Sequence, residues 1–104
     1  MEKKDILKKI KASILKTEPS AKIILYGSHA RGDSRKNSDW DLLILLNKNK
    51  ITNEMEKAIK YPLYEIEWDI GEIISPLIFS RMEWEKKHHV TPFYKNVTAE
   101  GIEL

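Results

Sequence analysis

"YGSHARGDSRKNSDWD", Tyr26 to Asp41, is the stretch on which the reading of this chain turns. It joins two short apolar runs, "KIILY" (Lys22–Tyr26) and "DWDLLILL" (Asp39–Leu46). The first stops at Gly27 and the second is closed by the polar "NKNK". Runs of this length and composition read as strands buried on at least one face. A glycine and a serine come after the first strand, and two aspartates spaced by one residue open the second. Leucine-rich strands have no packing reason to begin with paired carboxylates.

Chemistry supplies reasons for both features. Gly27 lets the chain turn sharply, and "SHAR" can begin a helix whose free N–H groups point outward. Phosphate oxygens suit such a turn, and the Ser28 hydroxyl adds a donor. An ordinary strand-to-helix turn with Ser28 as N-cap would use the same residues. Asp39 and Asp41, at i and i+2 of a strand, share a face about 7 Å apart along the backbone. Like charges so placed repel unless a cation bridges them. Oxygen-only ligands on a rigid strand suit Mg²⁺, which takes one or two carboxylates and completes its shell with water and phosphate. A merely polar strand start is the plainer reading of the pair alone. Taken together the features reinforce each other, because neighbouring strands would bring metal and phosphate donors to one triphosphate. Gly27 and Gly32 also have P-loop spacing, but Asp33 stands where that loop needs lysine. Arg31-Gly32-Asp33 is a chance adhesion tripeptide.

Around this stretch the chain is ordinary. Its 104 residues imply one domain, residues 1–104, with a modest core. Apolar residues make up 41% and charged residues 33%, a globular balance rather than a disordered one. A net charge of +2 leaves no strong polyanion footprint, so nucleic acid is not an expected partner. Lys3, Lys4, Lys8, Lys9 and Lys11 read as a solvated helix face. With no cysteine there is neither a disulfide framework nor a thiolate metal site. No apolar run reaches about 18 residues and the N-terminus opens with charge, so no membrane segment is expected and the cytoplasm is the default compartment.

Ile6, Leu7, Ile10, Ile14 and Leu15 predict an amphipathic helix over residues 3–17, ended by Pro19. Met55, Ile59, Leu63, Ile66 and Ile70 favour one helix from Thr52 to Ile70, with Gly71 as its cap and Pro62 as a kink or break. "YEIEWDI" could alternatively alternate as a strand. "EIISPLIF" (Glu72–Phe79) reads as a third strand, with Pro76 pointing to an edge or bulge. Ser80 and Glu83 form a capping box for a short helix to His88. Thr91-Pro92 starts a final helix ending near Gly101. The expected fold is α/β (α+β), a small mixed β-sheet covered by helices.

"GSHARGDSRKNSDWD" resembles G-S-x10-D-x-D, the signature of the polymerase-beta-like nucleotidyltransferases. The "ARG" and "SD-x-DL" details look like its minimal nucleotidyltransferase (MNT) branch, and the ending "TPFYKNVTAEGIEL" is also similar. The resemblance implies transfer of a nucleoside monophosphate, AMP from ATP above all, onto a hydroxyl with release of pyrophosphate. It implies that Gly27 and Ser28 hold the distal phosphates and that Asp39 and Asp41 are catalytic and bind Mg²⁺. Arg31 is implied as a phosphate contact, with a surface salt bridge as the alternative. Many MNT proteins are antitoxins that silence a HEPN-domain ribonuclease toxin by modifying it with AMP, which implies such a partner here. A homo-oligomer is compatible with the sequence.

The family usually carries a third carboxylate on the next strand. Here Ser75 falls near that position, Glu72 lies at the strand entry, and Asp69 qualifies only under the strand reading of "YEIEWDI". The missing acid keeps a second function in view, a nucleotide-fold module that silences its partner by occupancy. Transfer to a small molecule such as an aminoglycoside is a third, disfavoured because no second domain shapes its pocket. His29 is expected to face solvent on its helix, and His88-His89 lack partners at metal-ligand spacing. Trp40, Trp68 and Trp84 read as core or interface aromatics rather than base-stacking ones.

Overall fold

The computed structural model describes the backbone of residues 1–104 and every side chain except that of Lys87. Helix α1 (Lys3–Thr17) buries Ile6, Ile10 and Ile14 along one stripe, at steps of four residues. The five early lysines stand on its exposed side, as their clustering predicts. Strand β1 (Lys22–Tyr26) comes next, then a single-turn helix α2 (Ser28–Arg31) and strand β2 (Trp40–Leu46). Asp39 therefore stands one residue ahead of the strand that the sequence placed it in.

Helix α3 (Asn53–Ile70) runs unbroken through Pro62, so "YEIEWDI" is helix and not strand. The Thr52 hydroxyl accepts the Met55 N–H at its start, and Gly71 closes it with φ 69°, the left-handed cap that glycine adopts without strain. Period decides between the two readings. Ile59 and Leu63 are buried and Ile66 and Ile70 pack against them, whereas Trp68 is 89% exposed. A strand would have put Ile66 and Trp68 on the same face. Trp68 instead joins Tyr61 and Tyr64 on the outer face of α3.

Strand β3 (Ile74–Ser80) begins two residues later than expected. The Ser80 hydroxyl then accepts the Glu83 N–H to start α4 (Arg81–Lys87). Thr91 caps α5 (Pro92–Glu100) in the same way, accepting from Tyr94. The strands form one sheet in the order β3-β2-β1-β4. β1 and β2 are antiparallel, while β2 and β3 are parallel. Parallel neighbours need a crossover, and α3 provides it. Pro76 sits on the edge strand, where its missing N–H costs no ladder bond.

The terminal pair Ile102–Glu103 forms β4 against β1, an element with no precedent in the sequence reading, which ended in helix. Two residues carry no periodicity, so only the neighbour reveals them. Leu104 N–H donates to the Ile23 carbonyl and extends this pairing.

Alternation along β2 divides the interior. Trp40, Leu42, Ile44 and Leu46 pack with α1 and α3 on one face of the sheet. Leu43 and Leu45 pack on the other with Trp84, Val97, Phe93 and Tyr94 of α4 and α5. Asp41 shares the second face by the same alternation.

Gly101 is the tightest joint in this layer. A Cβ there would overlap the Val97 carbonyl and the Ile24 side chain. Its φ of −67° is ordinary, so the constraint is contact and not conformation. Gly101→Ala should therefore destabilise the fold by about 1–3 kcal/mol, the range for overpacking. Urea unfolding measures this, and an unchanged midpoint would show that the joint yields freely.

Candidate active site

β1 delivers the chain to Gly27, whose φ of 77° and ψ of −158° suit glycine alone. Gly27 is the N-cap of α2 and Ser28 its first residue, so the Ser28 N-cap reading does not hold. The antiparallel register sets Tyr26 opposite Asp41. Gly27 is thereby brought against the Asp41 carboxylate, so closely that a Cβ would collide with it and lie 3.2 Å from Cγ. The turn and the second aspartate form one surface.

Asp39 is exposed and accepts the Ser75 hydroxyl at 3.3 Å. Ser75 lies beside Asp41 in the parallel register, so both carboxylates are on one side of the sheet. Burial pushes the Asp41 carboxyl above its usual range and the Asp39 charge adds to the push. His29 and Arg31 oppose the shift, and Glu100 reinforces it. Burial, with the Asp41 charge, also pushes the Tyr26 phenol up to about 12. The two shifts share burial as their main cause, with neighbouring carboxylate charge adding to it. Asp39 and Asp41, two carboxylates on one side of the sheet, fit a hard divalent cation. Among the described residues no cluster of three or more acids, histidines or cysteines is arranged to hold a metal, so a bound cation would rely on water and ligand oxygens as well. That is the habit of Mg²⁺.

The remaining sequence candidates are distributed differently. Glu72 accepts the Trp40 indole N–H at 3.2 Å and so serves the opposite face of β2 from Asp41. Asp69, on α3, lines an outer groove with Ser13, Lys16 and Thr17. Neither joins the aspartate pair. Arg31 makes salt bridges to Asp33 at 3.1 Å and to Glu100 at 3.2 Å, the alternative named for it from sequence.

His29 departs from expectation. It is 6% exposed, and its ring stacks on Trp40 at 3.6 Å with planes 7° apart. Nε2 lies 3.3 Å from the Ser38 carbonyl, and Nδ1 has no partner among the described residues. Lys3 Nζ donates to the His29 carbonyl, tying α1 to α2. The short helix rolls His29 inward because the strand face carrying Trp40 lies directly beneath it.

Glu100, at the end of α5, is the site residue that sequence reasoning missed. Its Oε1 accepts the Gly27 N–H at 3.2 Å, and its carboxylate meets Arg31. No local pattern marks it, since it stands 73 residues from Gly27 and reaches the turn only through β4 pairing.

Comparison with known proteins gives the family and the fold. Residues 7–101 match the model of the family described as "Nucleotidyltransferase domain". A Methanocaldococcus jannaschii protein, named as a candidate protein adenylyltransferase, is 37% identical over 108 residues and is covered completely, as is this chain. The fold resembles the crystal structure of a toxin–antitoxin with AMP-PNP, with TM-score 0.62 and 18% identity over 99% of this chain and 72% of that one. A mutant of the MntA–HpeT toxin–antitoxin gives TM-score 0.60, also at 18% identity, covering all of this chain and 72% of the other.

The raised Asp41 carboxyl has a stability consequence. A carboxyl with a folded pKa above its unfolded one holds its proton longer in the folded chain. Stability is then highest below the unfolded value and falls as pH rises through the interval between the two. Above that interval the ionised group costs stability, so Asp41→Asn should raise Tm at pH 7 in metal-free buffer. The gain should shrink as the pH is lowered past the carboxylate range. Calorimetric scans at several pH values check this, and a lower Tm at pH 7 would contradict it.

Proposed function

This chain belongs to the nucleotidyltransferase domain family, and from that membership we propose that it transfers AMP from ATP onto a hydroxyl of a partner protein. The single observation that carries the reading is the contact between Gly27 and the Asp41 carboxylate. It joins a phosphate-receiving turn to a metal-binding acid, the two requirements of nucleotidyl transfer. Residues 1–104 act as a single minimal nucleotidyltransferase domain. Gly27 and Ser28 receive the distal phosphates, and Arg31 adds a positive charge beside them. Asp39 and Asp41 hold Mg²⁺.

When bound, Mg²⁺ offsets charge on the phosphates and on the departing pyrophosphate. The chain's own residues then orient the reaction. Gly27, lacking a side chain, allows the phosphates to approach the strand end. The Ser28 hydroxyl donates to a phosphate oxygen. Ser75 keeps the Asp39 carboxylate turned toward Asp41 through its 3.3 Å hydrogen bond.

The acceptor is a protein on this reading, in agreement with the name of the 37% identical relative. The pairing is that of a toxin–antitoxin system, with a HEPN-type partner and a cytoplasmic setting. Among the described residues no helix is long and apolar enough to cross a membrane. The exposed Tyr61, Tyr64 and Trp68 offer aromatic surface of the sort that protein interfaces favour.

A second reading has a specific observation in its favour. Ser75 stands beside Asp41 where a third acid would lie, and Glu72 is committed to the Trp40 indole. A chain with weak acceptor activation would silence its partner by occupancy.

One experiment separates the two. The chain is incubated with ATP, Mg²⁺ and the purified partner, and the partner is weighed by mass spectrometry. A mass gain of one or more AMP units is expected, reduced about 10²-fold or more by Asp41→Asn. An unmodified but inhibited partner in a stable complex would establish occupancy instead.

A further inference from the structure

Glu100 occupies donors that the nucleotide reading gives to phosphate. Its carboxylate accepts the Gly27 N–H at 3.2 Å and the Arg31 Nη1 at 3.2 and 3.3 Å. The backbone that presents it is held on both sides. Gly101 is wedged between Val97 and Ile24, and its N–H donates to the Val97 carbonyl at 2.7 Å. The next two residues are paired with Ile24 and Leu25 of β1. Only the side chain of Glu100 is free to leave. Arg31 has Asp33 as its other partner, so two carboxylates share its one positive charge.

We propose that Glu100 is a placeholder anion that holds the same donors a triphosphate would take and is displaced by that triphosphate on binding. The inference rests on the nucleotide reading above and adds a determinant of affinity to it. The placeholder satisfies the Gly27 N–H and Arg31 within the folded chain, where unpaired donors would cost stability. It also makes every phosphate ligand compete with a carboxylate tethered at the site. Weakly charged anions lose that competition, and a metal-bound polyphosphate wins it. Glu100 on this account sets a threshold of ligand charge rather than taking part in the transfer.

The test is calorimetry on the full chain with saturating Mg²⁺, titrating ATP and, separately, inorganic tripolyphosphate. Glu100→Gln is isosteric, and its amide oxygen still accepts from Gly27, but its charge is gone. Both ligands should bind this variant about three- to tenfold more tightly than wild type, the scale of one exposed ion pair with its hydrogen bond. Arg31→Gln should also cost more ATP affinity in the Glu100→Gln background than alone, because Arg31 is then free for phosphate. Should Glu100→Gln fail to fold, Glu100→Asp replaces it, drawing the carboxylate back by one methylene, with the same sign expected. Equal or weaker binding by the variant would overturn the placeholder role and leave the nucleotide reading intact. A gain for ATP without one for tripolyphosphate would overturn it too, by locating the effect away from the phosphates. Wild type that binds neither ligand would overturn the nucleotide reading and the placeholder together.

Discussion

Strand β2 is buried on both faces, and everything else in the molecule is arranged around that fact. Its position inside the sheet, between β1 and β3, forces the chain to supply an apolar layer on each side. α1 and α3 provide one layer, α4 and α5 the other. The alternation of side chains along the strand then sorts the residues after Asp39. Trp40 is sent into the α1/α3 layer while Asp41 faces the α4/α5 side at the open end of the sheet. A shift of one residue in register would bury the carboxylate and expose the indole, so the hydrophobic run holds the acid in place.

The candidate site therefore sits at a point the fold does not favour. Asp41 is partly desolvated, stands beside another carboxylate and has a third within electrostatic reach. Gly27 adopts a conformation that other residues resist and has no room for a side chain. A partly buried carboxylate with other carboxylates around it is common where a site is built to bind a ligand. A cation would relieve the carboxylates, and phosphate would take up the donors that Glu100 now satisfies.

The C-terminal segment links the site to the second layer. α5 closes the Leu43–Leu45 face through Val97, and its last residue reaches the signature turn. The two-residue strand after it is short, yet it fixes the direction from which Glu100 approaches. His29 has the corresponding role on the other face, where its stack on Trp40 and its contact with the Ser38 carbonyl pin the loop that precedes Asp39.

What the sequence by itself determined was whatever depends on neighbours along the chain. Helical spacing placed α1 and α3, hydroxyl caps placed the starts of α4 and α5, and the two apolar runs placed β1 and β2. The motif from Gly27 to Asp41 was legible for the same reason, since a turn and an i, i+2 pair are local objects. Tertiary structure decided the rest. His29 looked exposed because four residues cannot show which way a single turn will roll, and the Trp40 ring beneath it settles that. Glu72 and Asp69 looked eligible as a third acid until the register gave one to the indole and the α3 helix carried the other away. Glu100 was invisible because its contact with Gly27 spans 73 residues and exists only once β4 pairs with β1. Contacts between distant segments are set by how layers stack, and no local pattern of residues encodes them one at a time.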